Sequence, residues 1–185
     1  MSSQLEREIK LSFGSVAEAR EAILAAGATP VRGRRLQEDC LLDTSDEQLR
    51  RRRCVLRIRI EQGRSVFTYK GPVQPSAMKL REELETMVSD GDTLLQLLRE
   101  LGYDVWFRYQ KYREEFGADD VIVALDETPI GAFVEIEGGE RGIHDMARAL
   151  GRTPSEYLAD SYRTLYWQYR AEHGLTANDM MFEEP

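Results

Sequence analysis

The sequence predicts a strand-rich α+β domain whose strands pair mostly antiparallel. Three observations carry that expectation. Charged and apolar residues alternate with period two in segment after segment, as in Glu6-Arg7-Glu8-Ile9-Lys10 and Leu56-Arg57-Ile58-Arg59. Turn-forming residues such as Gln62-Gly63-Arg64 separate some of those segments at hairpin distance. Fewer stretches carry helix punctuation, among them the run between Ser15 and Gly27. With 185 residues and 42% hydrophobic content, the chain is expected to form one globular domain with a substantial core. That domain spans 1–173, and 174–185 are expected to be a loosely held tail.

The elements follow in order. Residues 4–13 alternate and read as a strand. Ser15, with Glu18 as the partner of a capping box, opens a helix that stops at Gly27. A short strand begins in the stretch from Gln37, a turn falls at Asp43-Thr44-Ser45-Asp46, and a strand runs from Cys54 to Glu61. SVFTYKG is its hairpin partner, GPVQPSA breaks regularity, and alternation resumes at Lys79 in KLREELETMV. SDGDTLLQLLRELG reads as a helix ending at Gly102. VWFRYQKYREEF and DDVIVALDE are strands separated by Gly117-Ala118, and GAFVEIEGG is another. IHDMARALG is a short helix. Residues 153–174 read as one longer helix, with Pro154 in its first turn and Gly174 after its end.

Bulk properties exclude several classes. The net charge of −8 argues against non-specific nucleic-acid binding, which needs a basic domain, but leaves room for a locally positive cavity. No apolar run is long enough to span a bilayer. The start of the chain is polar and acidic, and Cys40 and Cys54 are the only cysteines, without metal-type spacing; a reduced, cytoplasmic protein is the expectation.

The charged sides of the strands hold the functional signal. Residues i and i+2 share a face, so Glu6, Glu8 and Lys10 stand together opposite Leu5, Ile9 and Leu11. Arg57 with Arg59, Thr68 with Lys70, Arg81 with Glu83 and Glu85, Lys111 with Arg113, and Glu135 with Glu137 repeat the pattern, and Asp126 closes the apolar run from Val121. On any one strand a solvent-facing side accounts for such alternation. The set is different, because neighbours so often carry the same sign and like charges repel. Arginine suits forked contact with phosphate, and clustered carboxylates suit Mg²⁺ or Mn²⁺. A sheet curled with this face inward, its apolar face covered by helices, makes a channel fitted to a linear triphosphate with bound metal.

The segments resemble a known family, the CYTH or triphosphate tunnel metalloenzyme superfamily, over nearly the whole chain. Glu6-Arg7-Glu8-Ile9-Lys10 resembles its ExExK signature, and Leu56-Arg57-Ile58-Arg59 after Asp43-Thr44 its DT…LRIR segment. Thr68-Tyr69-Lys70-Gly71-Pro72, Arg81-Glu82-Glu83-Leu84-Glu85, Lys111-Tyr112-Arg113 and Leu125-Asp126…Gly131-Ala132-Phe133-Val134-Glu135-Ile136-Glu137 match the family's later motifs in order. The resemblance implies a closed antiparallel β-barrel of about eight strands with helices packed outside. It implies Glu6, Glu8, Asp126, Glu135 and Glu137 as metal ligands, with Mg²⁺ or Mn²⁺ as cofactor. It implies Lys10, Arg57, Arg59, Lys70, Arg81, Lys111 and Arg113 as substrate ligands, with Arg81 equally suited to holding Glu83 and Glu85, and Glu8, Lys10 and Glu137 as the catalytic group. Glu83 and Glu85 are ligands or their supports. The implied activity is hydrolysis of a triphosphate: inorganic tripolyphosphate, thiamine triphosphate or a nucleoside triphosphate. The alternative is the class IV adenylyl cyclase reaction, ATP to cyclic AMP and pyrophosphate, and a third reading is a polyphosphate or nucleotide sensor without turnover. The small-molecule triphosphate is the expected partner, with neither nucleic acid nor membrane, and a homodimer is the candidate assembly.

Other conspicuous residues have plainer expectations. Arg50 to Arg53 read as a solvated loop, Arg108 as facing away from Lys111, and Ser161-Tyr162 as packing against the barrel. Trp106, Trp167 and the Tyr162, Tyr166, Tyr169 row are expected in the core, and His144 and His173 on the surface.

Overall fold

The computed structural model describes residues 4–183. Its strands are β1 (Gln4–Phe13), β2 (Thr29–Thr44), β3 (Val55–Glu61), β4 (Arg64–Lys70), β5 (Lys79–Val88), β6 (Tyr103–Ala118), β7 (Val121–Thr128) and β8 (Gly131–Gly138). They close into a barrel in the order β1-β5-β4-β3-β2-β6-β7-β8, every pair antiparallel. Closure leaves no free sheet edge. The helices α1 (Val16–Ala25), α2 (Gln48–Arg51), α3 (Gly91–Glu100), α4 (Glu140–Ala149) and α5 (Tyr162–His173) lie outside. None of the described helices is long and apolar enough to cross a membrane.

Local chemistry explains most element ends. Ser15 caps α1 by accepting from the Glu18 amide at 3.1 Å, while the Glu18 carboxylate reaches the Gly14 amide, one residue beyond the capping-box partner. Gln62 and Gly63 both take positive φ, 49° and 75°, which is the twist a two-residue hairpin between β3 and β4 requires.

Four expectations fail here. β2 starts at Thr29 rather than near Gln37, because register shifts after Pro30 and after Arg32 absorb the proline and Gly33 as bulges. Gly117 and Ala118 belong to β6, and the turn is Asp119-Asp120. The single helix expected over 153–174 is two elements. Pro154–Glu156 make one 3₁₀ turn, Leu158 bridges to Lys10 on β1, and α5 starts afresh at a Ser161 cap. Finally, the tail is not loose over its described part. Met180 is fully buried and exchanges backbone hydrogen bonds with Arg108 and Gln110 on β6, and Phe182 packs on Tyr112.

The core lies between the barrel's outer face and the helices, not inside the barrel. Ile9, Leu11, Val123, Val134 and Ile136 face α1 and α4, where they meet Ile23 and Ile143. Ile58, Leu42 and Cys40 meet Leu95 and Leu98 of α3. Ile23 has no exposure, and its truncation to alanine leaves a cavity worth about 2–5 kcal/mol. Cys40 and Cys54 are buried free thiols, and burial pushes the Cys40 thiol up to about 11. Tyr166 is core as expected, but Trp167 is 41% exposed beneath Arg170. His144 is half-buried against the Tyr157 hydroxyl at 3.0 Å.

Candidate functional site

With the apolar sides of the strands turned outward, their charged sides meet in the lumen. The resulting cavity has a volume of about 1000 Å³. Strand register decides which charges become neighbours. Glu6 stands opposite Arg81 and Glu8 opposite Lys79 on β5, while Glu8 faces Glu137 and Lys10 faces Glu135 on β8. Lys70 stands opposite Glu83, and Arg113 opposite Asp126.

One wall is basic and tightly fixed. Arg59 binds Asp39 through two nitrogens, at 2.9 and 3.2 Å, and the Arg57 Nε lies 3.4 Å from the same carboxylate. Arg113 grips Asp126 at 2.7 and 2.6 Å and also touches Glu135, while Lys111 donates to Asp126 at 2.8 Å. Neither aspartate has any exposure. Burial alone would raise both carboxyls, but the adjoining cations outweigh it and hold them below the usual range. Burial, together with Arg113, lowers the Lys111 ammonium to about 8, so the arginine dominates the pairing with Asp126.

The opposite wall is acidic and less well compensated. Lys70 reaches Glu6 at 2.7 Å and Glu83 at 3.0 Å, and Arg81 reaches Glu6 at 3.2 Å. Burial, then the charge of Glu8, nonetheless keeps the Glu6 carboxyl raised. Glu8 has one cation at contact distance, Lys79, at 2.5 Å; its charge, with those of Lys70 and Lys10 farther off, overcomes burial and brings the carboxyl to about 2. Among the described residues Glu137 has no ion-pair partner; the residue is exposed beside the cavity, and partial desolvation plus the charges of Glu6 and Glu8 push its carboxyl up to about 7. Lys10 lies 3.3 Å from Glu135, donates to the Asp160 carbonyl at 2.9 Å and sits 4.2 Å above the Tyr162 ring.

The expected residues therefore converge, with qualifications. Glu6, Glu8, Glu135, Glu137, Lys10, Arg57, Arg59, Lys70, Arg81, Lys111 and Arg113 all line the cavity. Asp126 does not; its oxygens are taken by Lys111, Arg113 and the Tyr162 hydroxyl at 2.6 Å, so it orients the ligands beside it. Glu83 is luminal, whereas Glu85 sits at the rim, half-exposed and bonded to Thr68. Arg108 faces outward to Glu38. Arg50 is not simply solvated; it bonds Asp43 at 3.1 Å and covers Trp106, while Arg51, Arg52 and Arg53 are exposed.

Several site residues escaped the sequence reading. Lys79 was visible in principle, since it keeps phase with Arg81, Glu83 and Glu85. Asp39 shares phase with Gln37 but carries no like-signed neighbour that marks it. At the far end of β2, buried Arg35 joins Glu61 at 2.8 Å and Glu115 at 2.7 Å, a network placed by the bulges. Tyr162 does pack on Phe133 and Tyr109, and it also enters the lumen over Lys10 and Lys111. Arg163 lines the cavity beside it, braced on Trp106 and, among the described residues, without a carboxylate partner.

The residues fit a divalent cation by their chemistry. Among the described residues no group of three Asp, Glu, His or Cys side chains is close enough to form a ready-made site. The uncompensated Glu137 beside Glu6 and Glu8 is nonetheless a concentration of hard oxygen ligands that lacks positive charge.

A closed antiparallel barrel with ions of both signs facing a common lumen defines a class of tunnel proteins. The chain belongs to the CYTH domain family, whose model matches residues 4–152. It is 29% identical over 147 residues to a Methanocaldococcus jannaschii protein named as a candidate adenylate cyclase, covering 79% of this chain and 83% of the relative. A Vibrio parahaemolyticus structure, also named as a candidate adenylate cyclase, superposes with a TM-score of 0.77 at 18% identity, covering 90% of this chain and 99% of that one. A Hippeastrum protein described as a candidate adenylyl cyclase with dominant triphosphatase activity superposes with a TM-score of 0.65 at 16% identity, covering 94% and 97%. At those identities the two structures share the fold.

Proposed function

We propose that this protein is a divalent-metal-dependent hydrolase of a triphosphate held in the lumen, with inorganic tripolyphosphate, thiamine triphosphate and nucleoside triphosphates as candidate substrates. One observation carries the reading: a preset wall of cations faces an incompletely neutralised wall of carboxylates across one cavity in the barrel. A neutral metabolite or a monophosphate leaves most of those groups without partners.

Asp39 orients Arg57 and Arg59, and Asp126 orients Lys111 and Arg113, so these cations need little reorganisation when phosphate oxygens arrive. Arg59 and Arg113 present planar guanidinium groups suited to forked contacts. Lys10 and Lys70 add compact point charges between the two walls. Glu6, Glu8, Glu135 and Glu137 would hold Mg²⁺ or Mn²⁺. A divalent cation supplies charge neutralisation and Lewis acidity to the transferred phosphoryl group. The protein's part is alignment, charge and exclusion of bulk water.

The cyclase reaction is the second reading, favoured by the name of the Methanocaldococcus relative. The same tunnel serves both, and they differ in which phosphorus is attacked. Tripolyphosphate, thiamine triphosphate and ATP are each supplied separately with Mg²⁺ or Mn²⁺, and again after chelation. Metal-dependent phosphate release supports hydrolysis. Pyrophosphate with cyclic AMP from ATP selects the cyclase, and absence of turnover on all three overturns both.

A further inference from the structure

Successive cross-strand partners place Lys79, Glu8 and Glu137 side by side across β5, β1 and β8. Lys79 Nζ lies 2.5 Å from Glu8 Oε1, and the two side chains keep only 10% and 12% of their exposure. This pairing is exclusive. Among the described residues Lys79 bridges no other carboxylate and Glu8 no other cation, whereas Glu6, Glu135, Asp39 and Asp126 are each shared by two or more cations. Lys79 is also the first residue of β5, directly after the irregular segment 71–78, so its anchor is a strand end.

A lysine ammonium is a compact charge on a four-carbon stem, able to swing several ångströms without backbone movement. At contact distance from Glu8 Oε1 it takes up one of the two oxygens that the carboxylate could offer a divalent cation. A divalent cation on the same carboxylate repels an ammonium about twice as strongly as the singly charged groups that share Asp39 or Asp126 repel one another. The neighbouring carboxylate, Glu137, is already without a partner, so Lys79 is the one cation that metal loading at this level must move.

We propose that Lys79 is an internal counter-ion of Glu8: it competes with the divalent cation for that carboxylate and, when displaced, passes to the phosphate oxygens of the ligand. This rests on the functional reading above. It makes metal and triphosphate uptake mutually supportive, because the ammonium released by the metal gains an acceptor only when phosphate is present.

Titration calorimetry with Mn²⁺ alone, and no phosphate compound, tests it on wild type, Lys79→Met, Lys79→Arg and Glu8→Gln. Lys79→Met should bind Mn²⁺ about tenfold more tightly than wild type. Lys79→Arg, which keeps the charge, should stay within about threefold of wild type, and Glu8→Gln should weaken binding. Mn²⁺ binding that Lys79→Met leaves unchanged or weakens overturns the role of Lys79 alone. No Mn²⁺ binding by wild type or any variant overturns the metal-dependent reading itself. Nitrogen NMR of lysine ammonium groups in wild type gives an answer independent of variant folding. The Lys79 signal, shielded by Glu8, should be lost when Mg²⁺ is added; persistence in the metal-bound protein overturns the proposal.

Discussion

The two walls of the lumen solve opposite electrostatic problems. On the basic side, four luminal cations stand on carboxylates with no exposure: Asp39 under Arg57 and Arg59, Asp126 under Lys111 and Arg113. On the acidic side, Glu8 has a single lysine and Glu137 has none. Asp39 and Asp126, each with two cations and a lowered pKa, are completed units, whereas Glu137, with no cation and a raised pKa, is an unfinished one. The fold therefore fixes its cations in advance and leaves part of its acidic wall uncompensated.

The largest break in this contrast comes from the supporting aspartates. Asp126→Ala strands Lys111 and Arg113 in the barrel and should cost about 3–5 kcal/mol, read as a fall in the denaturant midpoint. A stability equal to wild type would mean that the basic wall is not held by that carboxylate. Next, Glu8→Gln should keep the fold, with circular dichroism unchanged, while phosphate release from tripolyphosphate drops by about 10²–10³. Arg59→Ala should weaken tripolyphosphate binding by about 1.5–3 kcal/mol in calorimetry, since a charge-assisted contact is lost. Unaltered affinity would remove Arg59 from the proposed phosphate ligands.

A smaller effect sharpens the acidic side. The Glu137 carboxyl sits near 7 in the folded chain against an ordinary value of 4.5. The folded state thus holds its proton more tightly, and this stabilisation is complete below 4.5 and lost as pH rises through 7. Glu137→Gln lacks that loss. Without metal it should match wild type near pH 4.5 and exceed it at pH 8 by about 1 kcal/mol, a figure discounted because water reaches the side chain. Thermal melts at the two pH values decide it. Smallest of all, Arg52→Ala on the exposed run should change stability by less than about 0.5 kcal/mol. A larger loss in the same melts would give that run a structural role.

The strands that carry ligands were legible because their signal is local. Period-two alternation in β1, β3, β4, β5 and β8 shows which residues share a face, and like-signed neighbours such as Arg57 and Arg59 show that the face is not ordinary surface. β2 was legible only in part. Pro30 and Gly33 look like breakers in a linear reading, yet bulges let the strand continue to Thr29, and those bulges put Arg35 against Glu61 and Glu115. The residues 157–161 read as helix by composition, but Leu158 found a sheet partner at Lys10, a contact 148 positions away in sequence. Asp39 and Tyr162 carry no motif in the bare reading of residues, because each acts through side chains far along the chain.

The sequence by itself determined the faces: alternation assigns Glu6, Glu8 and Lys10 to one side and Ile9 and Leu11 to the other wherever the strand lies. Only the tertiary structure decided which opposite charges meet and which remain uncompensated. Register and closure bring β1 between β5 and β8, pairing Glu8 with Lys79 and leaving Glu137 beside two further carboxylates. Sidedness follows from the geometry of one strand, but a charge's worth depends on its distance to every other charge and to water, and folding alone sets those distances.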